Sequence, residues 1–251
     1  MNIKKLDIAA ELILSARRVT AFTGAGISVE SGIPPFRGEG GLWNKYDPHS
    51  LDISFFYSNP EQSWDVINQI FYEYFGKSKP NGAHLFLAEL EALGFLKTVI
   101  TQNIDNLHQI AGNTDVVEFH GNSYQLTCLS CNKKVAFSKE LLNTLPPKCA
   151  FCDSVLKPDF IFFGEAIPPK AYERSIQVTR ESDVWLIIGT TGEVYPASSI
   201  PTEAKRAGSK IIEINLSPSS FTYSITDIFL KGKATEICNA LLKRIKPCSN
   251  N

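Results

Sequence analysis

Four cysteines fall into two pairs, Cys128-x-x-Cys131 and Cys149-x-x-Cys152, with seventeen residues between the pairs. Thiolates at that spacing grip one tetrahedral Zn²⁺ from two knuckles. All four donors are sulfur, so no position is left for water or substrate and the metal's role is structural. Redox exchange by a single C-x-x-C is the competing chemistry, and the duplicated pair argues against it. Cys238 reads as a core-facing position on the last helix and Cys248 as a tail residue, neither with a base nearby. A second constellation is the run Thr23-Gly24-Ala25-Gly26-Ile27-Ser28, directly after the apolar stretch 18–22. A strand entering a glycine turn at a helix N-terminus is a seat for a nucleotide pyrophosphate, because small residues let backbone N–H groups approach the anion. Val29 stands where the usual fingerprint has its third glycine, and no acidic residue closes a second strand about twenty residues on, which disfavours an ordinary dehydrogenase. Instead Ser31-Gly32-Ile33-Pro34-Pro35-Phe36-Arg37-Gly38 and Gly40-Gly41-Leu42-Trp43 suggest a loop that folds over a ligand. A structural strand-to-helix turn is the plain alternative.

Polar residues cluster where strands end. Gln102-Asn103-Ile104-Asp105 follows one apolar run and His120-Gly121-Asn122 another. In an open α/β sheet the carboxyl ends of strands line the ligand crevice, so both clusters should meet the glycine loop. His120 is the candidate general base, since an imidazole titrates near neutrality. Asn103 and Asp105 can bond ribose hydroxyls or an amide. His49 lies in a Pro-rich loop, while His84 and His108 fall on expected helices as packing or surface residues. Gly189-Thr190-Thr191-Gly192 and Asn215-Leu216-Ser217 follow two later strands and suit the second half of a dinucleotide, with ordinary turn chemistry as the alternative.

The elements that must position these groups are legible as period and run length. Strand-like segments at 18–22, 97–101, 116–119, 184–188 and 210–214 are short, β-branched and nearly continuously apolar, as in strands buried on both faces of a parallel sheet. Helical spacing covers 5–16, 82–93, 197–207 and 234–245. The alternation predicts an α/β fold, a Rossmann-like doubly wound parallel sheet. Two inserts break the rhythm. Residues 36–80, with Phe55, Phe56, Tyr57, Trp64, Phe71, Tyr72, Tyr74 and Phe75, read as a helical module. Residues 124–157 read as a zinc ribbon in which metal substitutes for a core. The expected division is therefore 1–35, 81–123 and 158–251 in the large domain, with 36–80 and 124–157 forming a composite small one across a cleft.

Bulk properties exclude several classes. The 251 residues carry 25 Lys and Arg against 26 Asp and Glu, a net charge of −1, which gives no electrostatic case for nucleic acid or an anionic membrane. No run is long enough to span a bilayer and no secretory leader is evident, so a cytoplasmic setting is expected.

In its motifs the chain resembles the sirtuins, NAD-dependent protein lysine deacylases, of the bacterial type. The matching residues are Gly24-Ala25-Gly26-Ile27-Ser28-x-x-Ser31-Gly32-Ile33-Pro34-x-Phe36-Arg37, Thr101 to Asp105, Phe119-His120-Gly121, the four cysteines, Lys157-Pro158-Asp159 to Phe162-Phe163-Gly164-Glu165, Gly189-Thr190 with Pro196-Ala197, and Asn215. They span about residues 18–235 in the family's order. The resemblance implies that NAD is consumed: the acyl-lysine carbonyl oxygen displaces nicotinamide, and His120, with Asn103, drives the steps to free lysine and O-acyl-ADP-ribose. It implies NAD contacts from Gly24, Ala25, Gly26, Ser28, Ile33, Pro34, Phe36, Arg37, Gln102, Asn103, Ile104, Asp105, His120, Gly189, Thr190, Thr191, Asn215, Leu216, Ser217 and Ala234. Acylated-lysine peptide would lie against Phe160, Ile161, Phe163, Gly164, Glu165 and Val194, pairing as a β-strand. Pro35 replaces a frequent acidic residue, and Thr191-Gly192 a Ser-Leu pair. Residues 64–80 lack the Tyr-x-x-Arg pair that binds succinyl or malonyl carboxylates, with Ile67 and Ile70 in its place, so acetyl or longer apolar acyl groups are expected. ADP-ribosyl transfer or NAD hydrolysis at the same site, and a non-catalytic interaction module, are the alternatives.

Overall fold

A computed structural model describes residues 2–38, 40–74 and 76–246; Phe75 and Cys248 lie outside the described residues. In chain order the elements are α1 (Ile3–Ser15), β1 (Val19–Thr23), α2 (Ile53–Ser58), α3 (Pro60–Ile67), α4 (Gly82–Ala92), β2 (Leu96–Thr101), α5 (Leu107–Ala111), β3 (Val116–Glu118), β4 (Gln125–Cys128), β5 (Lys134–Ala136), β6 (Leu156–Pro158), α6 (Pro169–Glu181), β7 (Val184–Ile188), α7 (Ser199–Arg206), β8 (Lys210–Asn215), β9 (Ile228–Lys231) and α8 (Ala234–Ile245). Six strands form one sheet in the order β3-β2-β1-β7-β8-β9, every neighbouring pair parallel. That is the doubly wound order, and the chain reverses direction across the sheet between β1 and β7.

All five residues of β1 and of β7 are buried, which is why β7 reads as an unbroken apolar run and β1 as one broken only by threonines. One face packs Leu6, Ile13, Phe86, Leu90, Ile237 and Leu241 of α1, α4 and α8 against the sheet, with the Cys238 side chain fully buried among them. The other face packs Trp185, Phe22 and Ile187 under Val178 of α6 and Ile200 and Ala204 of α7.

A separate core unites the two inserts. Trp64, Ile67, Ile70 and Phe71 of the helical module bury themselves with Leu126, Cys128, Cys149 and Leu156 of the ribbon and with Phe160 and Phe162. The Trp64 indole N–H donates to the Leu156 carbonyl at 2.9 Å, tying module to ribbon. The ribbon is therefore not coreless: it lends two leucines and two cysteines to a core built mainly by its neighbour. The strands β5-β4-β6 form its small antiparallel sheet. Because β6 runs to Pro158 and Phe160 and Phe162 sit in this second core, the chain rejoins the large body later than residue 158. Within 36–80, α3 continues into a π-helical turn, Asn68–Tyr72, that buries Ile70, Phe71 and Tyr72 together. No helix among the described residues is long and apolar enough to cross a membrane.

Candidate active site at the sheet switch point

The glycine run ends β1 at the point where the sheet reverses. The helix expected after it is a 3-10 turn, Ala25–Ser31, not an α-helix. Its two glycines are held by protein contacts. Gly24 N–H donates to the Ile188 carbonyl at 3.1 Å and Gly26 N–H to the Gly189 carbonyl at 2.8 Å. A Cβ on Gly24 would come within 2.8 Å of the Thr190 Cβ, and one on Gly26 within 2.7 Å of the Gly189 Cα. Gly189 itself adopts φ +65°, and a methyl there would overlap the Ile27 amide. The glycines thus interlock the loops after β1 and β7, the structural role weighed as the alternative. Between them the Ala25 N–H, and across the cleft the Thr190 and Thr191 N–H groups, have no acceptor among the described residues.

Behind these loops lies a chain of buried polar groups. The Ser28 hydroxyl donates to Asp105 Oδ2 at 2.6 Å and accepts from Asn103 Nδ2 at 3.1 Å. Asn103 Nδ2 also reaches the Gly24 carbonyl at 3.2 Å, and its amide donates to Thr101 Oγ1 at 3.1 Å. His84 Nδ1 accepts from the Asn81 amide at 3.3 Å, so its proton resides on Nε2, 3.5 Å from Ser28 Oγ. Thr23 Oγ1 donates to Thr101 Oγ1 and lies 2.9 Å from His108 Nε2, which must therefore carry a proton. His84 and His108 are both buried, which settles them as interior groups. Desolvation lowers them from about 6.5 to about 4 and about 3 respectively. Burial raises the Asp105 carboxyl, opposed by the Ser28 hydroxyl. His49, expected in a loop, sits in a short 3-10 turn with its ring 5.0 Å from Phe55.

His120, two residues past β3, meets the end of β2. Its Nδ1 is 3.2 Å from the Gln102 carbonyl, which cannot donate, so Nδ1 carries the proton and Nε2 keeps a free lone pair. Desolvation lowers its pKa, partly opposed by that carbonyl, so the ring is a neutral base at pH 7. Gln102 Nε2 reaches Thr190 Oγ1 at 3.1 Å and Asn215 Nδ2 the Thr190 carbonyl at 2.8 Å, knitting the ends of β2, β7 and β8. Ser123 Oγ donates to the Ile104 carbonyl at 2.6 Å. Leu216 and Ser217 are exposed beside Asn215, and Ala234 opens α8 at the same sheet edge, buried in the first core.

The loop 33–43 folds back on itself through Leu42 N–H to the Pro35 carbonyl and Trp43 N–H to the Phe36 carbonyl. Ile33 N–H caps the Ser28 carbonyl and Pro34 is half-buried. The Phe36 ring lies 5.2 Å from Trp43 and 6.2 Å from Phe71, while Arg37 reaches out to Glu193 at 3.9 Å. Of the expected substrate residues, Phe160 is buried, 5.0 Å from Phe71 and 4.9 Å from Phe162. Ile161 N–H donates to the His120 carbonyl at 2.9 Å. Phe163 spends both backbone groups on the helical module, its N–H on Leu51 and its carbonyl on Ile53, each at 2.9 Å. Exposed Gly164 carries unpaired backbone, whereas half-buried Glu165 spends its N–H on the Phe162 carbonyl at 3.1 Å, and Val194 is half-buried on the loop after β7. Sequence reasoning missed Lys157, whose ammonium is buried in this loop, and the His84–Ser28 link, announced only by the unusual capping pair Asn81 and His84.

The four Sγ atoms lie within 4.8 Å of one another, with Cys128 to Cys152 at 3.4 Å and Cys131 to Cys149 at 3.7 Å. A tetrahedral Zn²⁺ with Zn–S near 2.3 Å needs sulfurs about 3.8 Å apart. The quartet fits that ion with sulfur shifts of no more than about 1 Å.

A family model for the Sir2 family matches residues 24–196. The NAD-dependent protein deacylase of Pyrococcus abyssi (strain GE5 / Orsay) is 41% identical over 247 residues, covering 94% of this chain and 96% of the relative. A solved structure described as "Structural Basis for the Mechanism and Regulation of Sir2 Enzymes" superposes with a TM-score of 0.90 at 38% identity, over 97% of this chain and 98% of that one. A Sir2–p53 peptide–NAD⁺ structure superposes at 0.87 with 35% identity, over 97% and 98%.

Proposed function

This chain belongs to the Sir2 family and is an NAD-dependent protein deacylase, and we propose how its residues divide that chemistry. NAD, held by these residues, would supply an electrophilic ribose carbon to the acyl-lysine oxygen, with nicotinamide as the leaving group. His120 takes a proton at Nε2 from a ribose hydroxyl, its tautomer fixed by the Gln102 carbonyl. Asn103, with its amide nitrogen held by Gly24 and Ser28, offers Oδ1 to the same ribose. Gln102, Ile104 and Asp105 shape the nicotinamide end. The amides of Thr190 and Thr191 face the phosphates beside Gly24–Gly26 and Gly189. Asn215, Leu216, Ser217 and Ala234 take the adenosine end, and Ile33, Pro34, Phe36 and Arg37 cover the centre. The observation that carries this reading is the convergence of His120 and Asn103 on the interlocked loops at the sheet's reversal point.

The acylated protein substrate enters as a strand against Gly164–Glu165 on one side and Val194 on the other, with Ile161 and Phe163 bracing it. Its acyl group points towards the small core. Ile67 and Ile70 are fully buried there among Trp64, Phe71, Phe160 and Phe162. Among the described residues Lys157 is the only buried Lys or Arg, and Glu165 already neutralises it at 2.9 Å. A succinyl or malonyl carboxylate would be buried without a counterion, at a cost of several kcal/mol, so acetyl and longer apolar groups are preferred. The four thiolates call for a reducing compartment, which supports a cytoplasmic setting, and the near-zero net charge supports neither nucleic acid nor membrane as partner. Catalytic efficiency on acetyl-, myristoyl- and succinyl-lysine versions of one peptide tests the specificity. Succinyl should trail both by at least tenfold, and succinyl in the lead overturns it.

A further inference from the structure

Lys157 stands in a lysine-rich ribbon where a charged residue should face water, yet its side chain is only 11% exposed. It is the middle residue of β6 and turns its ammonium into the loop that follows. The Nζ donates to the carbonyls of Pro158 and Phe160, both at 3.0 Å, and lies 2.9 Å from Glu165 Oε2. The same carboxylate oxygen accepts the Phe162 N–H at 2.7 Å, and the Phe162 ring lies 4.4 Å beneath the ammonium. One cation therefore gathers two carbonyls, a carboxylate and an aromatic face from residues 158–165. The outside of that loop makes the contacts that matter for turnover: Ile161 N–H holds the His120 carbonyl, and Phe163 holds the helical module on both sides. Gly164, at φ +84°, then projects its backbone free.

We propose that Lys157, through its ion pair with Glu165, is a positioning residue that sets the spacing between the His120 backbone and the Gly164 edge on which the peptide pairs. This rests on the strand-pairing reading of substrate binding given above. Neither Lys157 nor its ammonium touches the reacting atoms. Burial lowers its pKa, and Glu165, with Asp159 behind it, opposes that shift. An ammonium carrying three acceptors is a template that a hydrophobic side chain of equal length cannot imitate, whereas a guanidinium can supply as many donors.

The test uses the zinc-loaded full chain and steady-state kinetics with an acetyl-lysine peptide and NAD. Lys157→Met should raise the peptide KM at least tenfold while the NAD KM stays within twofold, and Lys157→Arg should recover most of the loss. Glu165→Gln keeps the acceptor shape but not the charge, and should raise the peptide KM three- to tenfold. It serves as the second variant should Lys157→Met not fold. A peptide KM within twofold of wild type in Lys157→Met overturns the proposal. So does an NAD KM that rises in parallel in the variants, which marks general damage, or an Arg variant as impaired as Met. A peptide N-methylated beside the acyl-lysine separates the two readings. If it binds wild type undiminished, strand pairing itself fails; if it binds weakly while the Lys157 variants bind normal peptide well, only the clamp fails.

Discussion

Gly121 follows His120 at φ +70°, and a methyl on its Cα would overlap the Asp159 carbonyl oxygen and approach the Phe160 Cα to 3.1 Å. Both neighbours are backbone, so no rotamer change relieves the contact. Gly121→Ala should therefore cost about 1 kcal/mol for the left-handed conformation and about 1–3 kcal/mol for overpacking. A total of about 2–4 kcal/mol lowers the melting temperature of a chain this size by roughly 4–16 °C without abolishing folding. The catalytic consequence is larger. The overlap pushes apart the segments joined by the 2.9 Å bond from Ile161 N–H to the His120 carbonyl. A displacement of about 1 Å at a reacting group lowers the rate by roughly a hundredfold. Thermal unfolding and kcat/KM on an acetyl-lysine peptide read both effects. Gly208→Ala is the control: its φ is +100° but nothing lies within 4 Å of the added methyl, so it should lose only about 1 kcal/mol and no activity. A Gly121→Ala enzyme melting within 2 °C of wild type, with kcat/KM within threefold, refutes the reasoning.

Other outcomes follow from the same geometry. His84 and His108 are held neutral by burial, about 4 and about 3 against 6.5, so below pH 6.5 the unfolded chain binds protons that the folded one refuses. Stability must then fall as pH drops from 6.5, by about 1.4 kcal/mol per unit for each ring; denaturant unfolding at pH 7.5, 6.0 and 5.0 would contradict this if flat. Stripping Zn²⁺ should unseat the β4–β6 sheet, to which Asp159 is tied by Thr127, by Lys134 at 2.7 Å and by its own N–H on Gln125. Deacylation should be lost and Trp64 fluorescence should shift to the red as its bond to Leu156 opens; a fully active metal-free enzyme contradicts it. Buried Glu213 accepts hydroxyls of Ser219, Thr222 and Thr226 and so pins the loop following Leu216 and Ser217. Glu213→Gln should raise the NAD KM several-fold and leave the peptide KM alone, and equal effects on both would count against that role.

What the chain discloses in advance depends on where each signal is stored. The central strands were legible because burial on both faces leaves unbroken apolar runs, and the cysteine quartet because metal geometry dictates spacing. β9 was not, since four residues at the sheet edge carry an alternating pattern too short to register. α6 was missed because its buried face is Ser175, Val178 and Thr179, with little apolar contrast. His120 stood out as a candidate from its place after a strand. Lys157 could not, because a buried ammonium looks like any surface lysine until the loop that encloses it is folded. The same holds for Phe163, whose backbone is claimed by Leu51 and Ile53 more than a hundred residues earlier in the chain.

Consumption of NAD to remove an acyl group, with His120 as the proposed base, has a direct readout in its products. Mass spectrometry of an acetyl-lysine peptide incubated with NAD and enzyme tests it directly. Free lysine peptide, nicotinamide and O-acetyl-ADP-ribose should form in equal amounts, and His120→Ala should bind NAD yet turn over at least a hundredfold more slowly. Nicotinamide release with the acetyl group still on the peptide, or ADP-ribose attached to the peptide, would contradict it.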